Sequence, residues 1–482
     1  MRRFFEQVKV HPFYDTLRHT SNYFLAQVVF NLLSIISLPI YTSYLSTADF
    51  GVVGVFDNLA KSLMILMPLN MYMAISRYLY EPDKTDKAEF LGGAILLSVG
   101  LFGVSSVFLG VFSGRLAGWV NVPLNVVLWL IPMTFCNIIY SVYNLYHIAL
   151  HESFKQARMS VIVAYGRFFG ALIFLQFMVP YMGRIVGDVV FFMGVAMYML
   201  YSMWGNVRWV VRKAHVWYMV SYSVPLMVST LSGFVLIAFD QLYINKTLGN
   251  TDAGLYSYAT KIGMLMWGFA NALNNATQPD FFRWMNEGNT EKINKQTISV
   301  LKLMVLAGCF LVFFAADMGK VLSRNREFDF ALSLIPIIVV GYFFMGVNAL
   351  YARLIYYSRR IIYLSMIALT AAILNGVLNF VFVPKYGYFA AGYTTMVSYL
   401  FMWILGGMVT ARLTPGKLPP LAMVLKYVLL FCLLTGAYLF TIYYGLLNPI
   451  GMWVLKIGVF LALGASMYFA QLKRQFMRSG RI

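Results

Sequence analysis

The chain has 482 residues, 60% of them hydrophobic and only 11% charged, with a mean hydropathy of +0.72; soluble domains carry about 25% charged residues, so lipid rather than water must solvate most of this surface. The formal net charge of +19 invites a nucleic-acid reading, but the basic residues recur in short polar gaps between apolar runs, which excludes a basic face on a compact domain. Cys136, Cys309 and Cys432 each sit inside an apolar run, and an odd count at wide spacing supports neither a disulfide framework nor a metal site, so no cofactor is expected.

The first twenty residues hold Arg2, Arg3, Lys9 and Arg18 and no apolar stretch of signal-peptide type. Phe4, Phe5 and Val8 suit a short helix on the cytoplasmic membrane surface, and the first span is expected to act as an uncleaved insertion signal. A crossing needs about 20 mostly apolar residues. On that basis the sequence predicts fourteen spans, at 21–45, 52–80, 91–113, 124–149, 159–180, 184–205, 219–245, 255–280, 297–320, 331–357, 361–383, 389–412, 421–444 and 451–472. The gaps leave no room for an extra-membrane domain. The expected fold class is therefore an all-α integral membrane protein of about fourteen helices.

Charge tests this map. With the N-terminus in the cytoplasm, the cytoplasmic segments carry 23 of the 37 Lys and Arg, the external gaps 7 and the spans 7, as the positive-inside rule predicts for an even number of spans with both ends inside. The gap with Lys320, Arg324 and Arg326 runs against the rule. An inner-membrane, multi-pass location follows.

Two motifs recur at nearly one offset. Leu45-Ser-Thr-Ala-Asp49-Phe-Gly51 matches Leu248-Gly-Asn-Thr-Asp252-Ala-Gly254, and Val179-Pro180-x-x-Gly183 matches Val383-Pro384-x-x-Gly387. Asp is expected to cap the helix that follows and Gly to permit the turn, while Pro ends a helix. The repeat makes spans 1–6 and 7–12 two parallel bundles, an arrangement common in transporters. The predicted organisation is a cytoplasmic segment 1–20, an N-terminal six-helix lobe 21–205, a cytoplasmic linker 206–218, a C-terminal six-helix lobe 219–412, two further helices 421–472 and a basic cytoplasmic tail 473–482.

Pro39-Ile-Tyr-Thr-Ser-Tyr-Leu-Ser-Thr-Ala-Asp-Phe-Gly51, the run from Asp240 to Lys261, and Pro384-Lys-Tyr-Gly-Tyr-Phe-Ala-Ala-Gly392 together resemble the polysaccharide biosynthesis (O-antigen-unit, capsule and exopolysaccharide) flippases of the multidrug/oligosaccharidyl-lipid/polysaccharide exporter superfamily. The resemblance covers most of the first twelve spans. It implies two six-helix lobes around a central cationic cavity, and movement of a polyprenyl-pyrophosphate-linked oligosaccharide from the cytoplasmic to the periplasmic leaflet. The expected partners are that lipid-linked oligosaccharide, the bilayer and other polysaccharide assembly proteins; no nucleic acid is expected, and the working state is a monomer.

Ionisable residues within spans are costly and by default functional. The clearest are Asp57 and Lys61 in span 2, Arg167 in span 5, Asp240 in span 7, Lys261 in span 8, Lys302 in span 9 and Arg353 in span 10, five cations to two acids. Such a surplus suits an anionic headgroup that lipid solvates poorly. Arg167, with no sequence-local partner, is the leading substrate-binding candidate, followed by Lys261, Lys61, Arg353, Arg77 and Lys302. Structural alternatives stand beside these. Asp57 and Lys61, spaced i, i+4, suit a mutual pair; Asp240 and Lys261 suit a tie between spans 7 and 8; Lys302 and Arg353 suit snorkelling to the interface; Arg77 suits a topology charge. In span 8, Asn271, Asn274, Asn275 and Gln278 share one helical face, fit either to meet sugar hydroxyls or to bond neighbouring helices. Pro68 predicts a kink in span 2.

No G-x-x-x-x-G-K-[ST] run occurs, so no phosphate-binding loop of that type supplies ATP energy; Asp57 and Asp240 are the deep acids available to carry a coupling proton or sodium. A multidrug exporter would favour cavity acids for cationic drugs, whereas a murein-precursor flippase shares the carrier and the fourteen spans. A membrane glycosyltransferase or polymerase lacks here the large external loop its chemistry would use. A non-transporting scaffold has no reason to bear seven ionisable residues in its spans.

Overall fold

The computed structural model describes residues 33, 35–81, 83–414, 419–448, 450–462 and 464–465, the side chain of residue 229 excepted. The expected N-terminal surface helix, most of the first span and the basic tail lie outside the described residues. Helix α1 (35–44) is the end of the first span. The second comprises α2 (Thr47–Leu66) and α3 (Ala74–Tyr80). Spans 3 to 14 follow as α4 (Lys87–Val120), α5 (Leu124–Ala149), α6 (Ser153–Phe174), α7 (Pro180–Trp204), α8 (Lys213–Leu248), α9 (Asn250–Asn286), α10 (Thr290–Leu322), α11 (Ile335–Tyr357), α12 (Ile362–Tyr386), α13 (Tyr388–Leu413), α14 (Leu421–Tyr443) and α15 (Ile450–Ala462). Among the described residues, ten helices are by themselves long and apolar enough to cross a bilayer, and the pair α2–α3 makes an eleventh. Of the three other expected spans, α1 is described only at its end and α15 is short as described. Helix α9 is less apolar because it carries Lys261, Asp280, Arg283 and the amide stripe.

Where lipid replaces water, freed backbone groups need partners from the protein, and the second span shows how they are found. The sequence predicts a kink at Pro68; the structure has a full break. Helix α2 stops at Leu66, Leu69 and Asn70 adopt φ of 49° and 58°, and the chain restarts through a 3-10 turn (Met71–Met73) into α3, bent by 67°. Proline has no N–H to offer the carbonyl four residues back, and that carbonyl, Met64 O, accepts instead from the Tyr72 hydroxyl at 3.5 Å. Ser105 Oγ donates to Met67 O at 3.2 Å, and Asn70 N donates to Ile65 O at 2.9 Å.

The repeated motifs are used differently from expectation. Ser46, not Asp49, is the N-cap of α2: Asp49 N donates to Ser46 Oγ at 3.2 Å and Ser46 N to Asp49 Oδ2 at 3.1 Å, a reciprocal capping box. Gly51 and Gly254 are not turn residues. Each lies inside a helix, and the two meet where α2 crosses the start of α9. A Cβ on Gly51 would stand 2.0 Å from Asn250 O, and one on Gly254 1.8 Å from Thr47 O. Pro180 opens α7, with Gly183 inside that helix, whereas Pro384 lies in the last turn of α12 and Gly387 closes it at φ 72°.

The chain divides into two compact units, one to Ser257 and one from Tyr258. In the first, α5 is central, packed by α2, α3, α4 and α7, with Val127, Leu130, Ile138, Ile139 and Val142 wholly buried. Helix α4 turns Val104, Val107, Phe108 and Val111 outward, as a lipid-facing helix should. In the second, α11 is buried on nearly all sides, flanked by α10 and α13. Helix α14 docks on α10 and α11: Phe431 stacks on Phe343 at 4.1 Å between centroids, and Tyr438 donates to Phe313 O at 2.8 Å. Lys456 of α15 pairs with Asp317 of α10, so spans 13 and 14 both pack against α10.

The segment before α8 is clasped to the start of α4. Arg208 O lies 2.0 Å from where a Cβ on Gly92 would stand, and Arg208 N donates to Ala88 O at 3.0 Å. His215 Nε2 lies 2.6 Å from Asp86 Oδ2, the Tyr78 hydroxyl donates to Asp86 Oδ1 at 2.7 Å, and Tyr218 donates to Glu81 at 2.7 Å. Arg212 pairs with Glu89. The Tyr78 hydroxyl first, and the His215 ring second, hold the Asp86 carboxyl below the usual carboxylate range. A carboxylate whose pKa falls on folding stabilises the fold above its unfolded value and stops doing so as pH drops through its folded value.

Two predictions follow from this packing. Asp86→Asn removes a charged acceptor of two hydrogen bonds and should destabilise the detergent-purified protein at neutral pH, by about 1.5–3 kcal/mol per lost charged bond at most, read as a lower thermal midpoint; the gap from the parent should close as pH falls below the ordinary aspartate range. Gly254→Val forces α2 and α9 apart and should destabilise by about 1–3 kcal/mol or more, whereas Gly233→Ala, with open space around it, should leave the melting curve within error of the parent.

Candidate functional site

Helices α6 and α7 form a hairpin with a small-residue crossing. Gly166-Arg167-Phe168-Phe169-Gly170 on α6 faces Gly183-Arg184-Ile185-Val186-Gly187 on α7. A Cβ on Gly170 would come within 2.6 Å of Gly187 O, one on Gly187 within 2.3 Å of Gly170 O, and one on Gly166 into the Phe191 ring. Such G-x-x-x-G pairs let backbones approach closely in lipid. The approach lets the short Asp188 side chain cross to α6: Arg167 grips it through Nε on Oδ1 and Nη2 on Oδ2, the latter at 2.9 Å. From its own helix Arg184 adds Nη1 on Oδ2 at 2.7 Å. The Asp188 side chain is fully buried, while those of Arg167 and Arg184 keep 26% and 15% of their surface exposed. Arg167 lies over the Phe192 ring at 4.7 Å and Arg184 over Tyr41 at 5.0 Å. Two guanidiniums thus share one buried carboxylate.

This arrangement overturns one expectation and adds two residues, Arg184 and Asp188, to the reading. Arg167 has no partner close in sequence, as expected, but meets Asp188 twenty-one residues away on the next helix. Arg184, not singled out among the candidate residues, lies one turn inside α7. Asp57 and Asp240 are not the only deep acids, since Asp188 is more deeply buried than Asp57. The paired G-R-x-x-G runs were visible in the sequence, but their facing each other was not.

The remaining predicted residues scatter. Asp57 and Lys61 make no ion pair with one another among the described residues, against the i, i+4 expectation; Lys61 is exposed and Asp57 half-buried on α2. Asp240, 1% exposed, accepts from the Tyr256 hydroxyl at 2.7 Å. Arg77 is an exposed cation 3.7 Å from Glu81. Lys261 is exposed on α9 and Lys302 half-buried on α10. Arg353 does not snorkel: it is 2% exposed, donates through Nη1 to Thr277 Oγ1 at 3.1 Å, and lies over Phe281 at 5.3 Å. That contact places it beside α9's amide face, where Asn271, Asn274 and Gln278 are half-buried and Asn275 is exposed. Gln296 of α10 donates to Thr277 O at 3.0 Å, so Thr277 joins three helices.

A second buried polar group went unread in the sequence. Between α12 and α13, Asn379 Nδ2 donates to Asn375 Oδ1 at 3.2 Å, Thr394 Oγ1 to Asn379 Oδ1 at 2.5 Å, and Asn375 Nδ2 to Thr395 Oγ1 at 3.4 Å. The i, i+4 spacing of Asn375 and Asn379 is the same signal that drew notice to span 8.

The fold has solved counterparts. A lipid II flippase, MurJ, in an inward closed conformation matches with a TM-score of 0.73 at 12% identity, over 95% of this chain and 100% of that one. An inward-facing multidrug resistance transporter of the MATE family, in the MOP superfamily, matches at 0.63 and 14% identity, over 81% and 96%. A MOP superfamily transporter from Pyrococcus furiosus, described as having a binding pocket of reversed polarity, matches at 0.56 and 14% identity, over 84% and 97%. At such identities the likeness is one of fold, an all-helical membrane transporter fold. No curated protein sequence matches the chain. The polysaccharide biosynthesis protein family profile matches residues 16–285, more than half of the chain, and the chain belongs to that family.

Proposed function

We propose that this protein is a flippase that carries a polyprenyl-pyrophosphate-linked oligosaccharide from the cytoplasmic to the periplasmic leaflet of the bacterial inner membrane, by alternating access of two six-helix lobes. It is not an enzyme in this reading. The observation that carries it, beside family membership, is the charge built into the spans: Arg167 and Arg184 share one acid, and Arg353 is buried with no carboxylate among its partners in the described residues. Cationic drugs would call for the opposite sign, whereas a sugar pyrophosphate needs compensating positive charge in a medium that solvates anions poorly. Lys61, Lys261, Lys302 and Arg77 extend this cationic character, and Asn271, Asn274, Asn275 and Gln278 are the candidates for sugar hydroxyls. Asp57 and Asp240 are proposed to couple an ion gradient. Asp188, bound by two guanidiniums, is not available for that task. The protein is proposed to act as a monomer alongside other polysaccharide assembly proteins, with both termini in the cytoplasm.

A second reading, a murein-precursor flippase, is favoured by the likeness to the lipid II flippase fold. One experiment separates the two. Deletion in the native host, with intact glycan synthesis and no second flippase, should make a complete lipid-linked glycan accumulate on the cytoplasmic leaflet. The glycan's mass then names the substrate, a surface-polysaccharide unit or a murein precursor. Accumulation on the periplasmic leaflet would overturn the flippase reading in favour of a polymerase or transferase.

A further inference from the structure

We propose that Arg167 and Arg184, held side by side by Asp188, form a phosphate-binding fork at the α6–α7 crossing that takes the pyrophosphate of the transported lipid, with Asp188 as its positioning residue. This rests on the flippase reading above and assigns its headgroup site.

Three N–H bonds of the two guanidiniums are used on Asp188. Among the described residues the others meet no acceptor and are free for a ligand, and both side chains retain exposed surface. A planar fork of N–H donors matches phosphate oxygens in a way an ammonium does not. The pair is also set in place before any ligand arrives. Asp188 fixes one edge of each guanidinium, Phe192 and Tyr41 lie against their faces, and the glycine crossing fixes the helices that carry them. Little side-chain freedom then remains to be lost on binding. Asp188 itself cancels only one of the two charges.

Among the described residues, Asp57 on α2 is a second acid whose charge acts on Arg167 and Arg184. Among the described residues no hydrogen bond or ion pair ties it to either one. The two acids therefore have opposite effects on an anion. Asp57 opposes it by charge alone, whereas Asp188 opposes it by charge but supports it by aiming both arginines.

The test is equilibrium binding of radiolabelled farnesyl pyrophosphate to the purified full-length protein in neutral detergent, with farnesol and inorganic pyrophosphate as competitors. Melting curves and size-exclusion profiles check that each variant is folded. Arg167→Gln and Arg184→Gln each leave a neutral one-to-one pair and should weaken binding about tenfold or more, the scale of a charge-assisted hydrogen bond. Arg167→Lys keeps the charge but loses the fork and should also weaken it. Asp57→Asn should tighten binding, while Asp188→Asn should weaken it although it too removes a negative charge. Parent-like affinity in both glutamine variants overturns the site while leaving the flippase reading intact. Tighter binding by a folded Asp188→Asn overturns the positioning role; if that variant does not fold, the two glutamine variants decide. Inorganic pyrophosphate displacing the probe at equal affinity would assign the fork to a free anion and overturn the lipid assignment. Displacement by farnesol, or no binding by the parent, overturns the flippase reading and the site together.

Discussion

Lipid offers no hydrogen bonds, and nearly every feature of this molecule answers to that constraint. Backbone groups are satisfied within helices, and where a helix breaks, as after Leu66, the side chains of Tyr72 and Ser105 and the backbone of Asn70 take up freed carbonyls. Charges obey the same rule at higher cost. Asp188 is wholly buried because two guanidiniums surround it, and removing one partner of a buried ion pair costs about 3–5 kcal/mol. Amides follow suit between α12 and α13, where Asn375, Asn379, Thr394 and Thr395 bond one another.

Satisfying buried groups requires elements to come close, and glycine makes that possible. At the α6–α7 crossing two G-R-x-x-G runs place backbone against backbone, and the arginine after the first glycine of each run meets Asp188. At the α2–α9 crossing the two copies of the repeated L-x-x-x-D-x-G motif meet through Gly51 and Gly254. The residues most easily read as turn formers are thus among the main packing residues. The proposed phosphate fork depends on the same geometry, because a guanidinium fixed in place loses less freedom on binding an anion than a mobile one.

Much of the architecture was legible in the chain itself. A crossing requires a run of apolar residues of fixed length, and such runs are local, so their order and approximate positions could be read from Leu, Ile, Val and Phe alone. The positions of Lys and Arg between runs implied a topology by the same local logic. The amide stripe of α9 was visible because helical periodicity is local too, and the polar residues that mark it are also why α9 is less apolar than its neighbours.

What the sequence by itself determined was therefore the helical class, the approximate spans and the identity of the costly polar residues. Only the tertiary structure decided which of those residues meet. Asp57 and Lys61 share a helix and do not pair, while Arg167 and Asp188 lie on different helices and do. Arg353, near a helix end, is buried rather than drawn to the interface. The physical reason is that periodicity gives the face of a helix but not the neighbour that face will find. That choice is made by close packing between helices, through contacts such as Gly170 with Gly187 that link residues far apart in the chain.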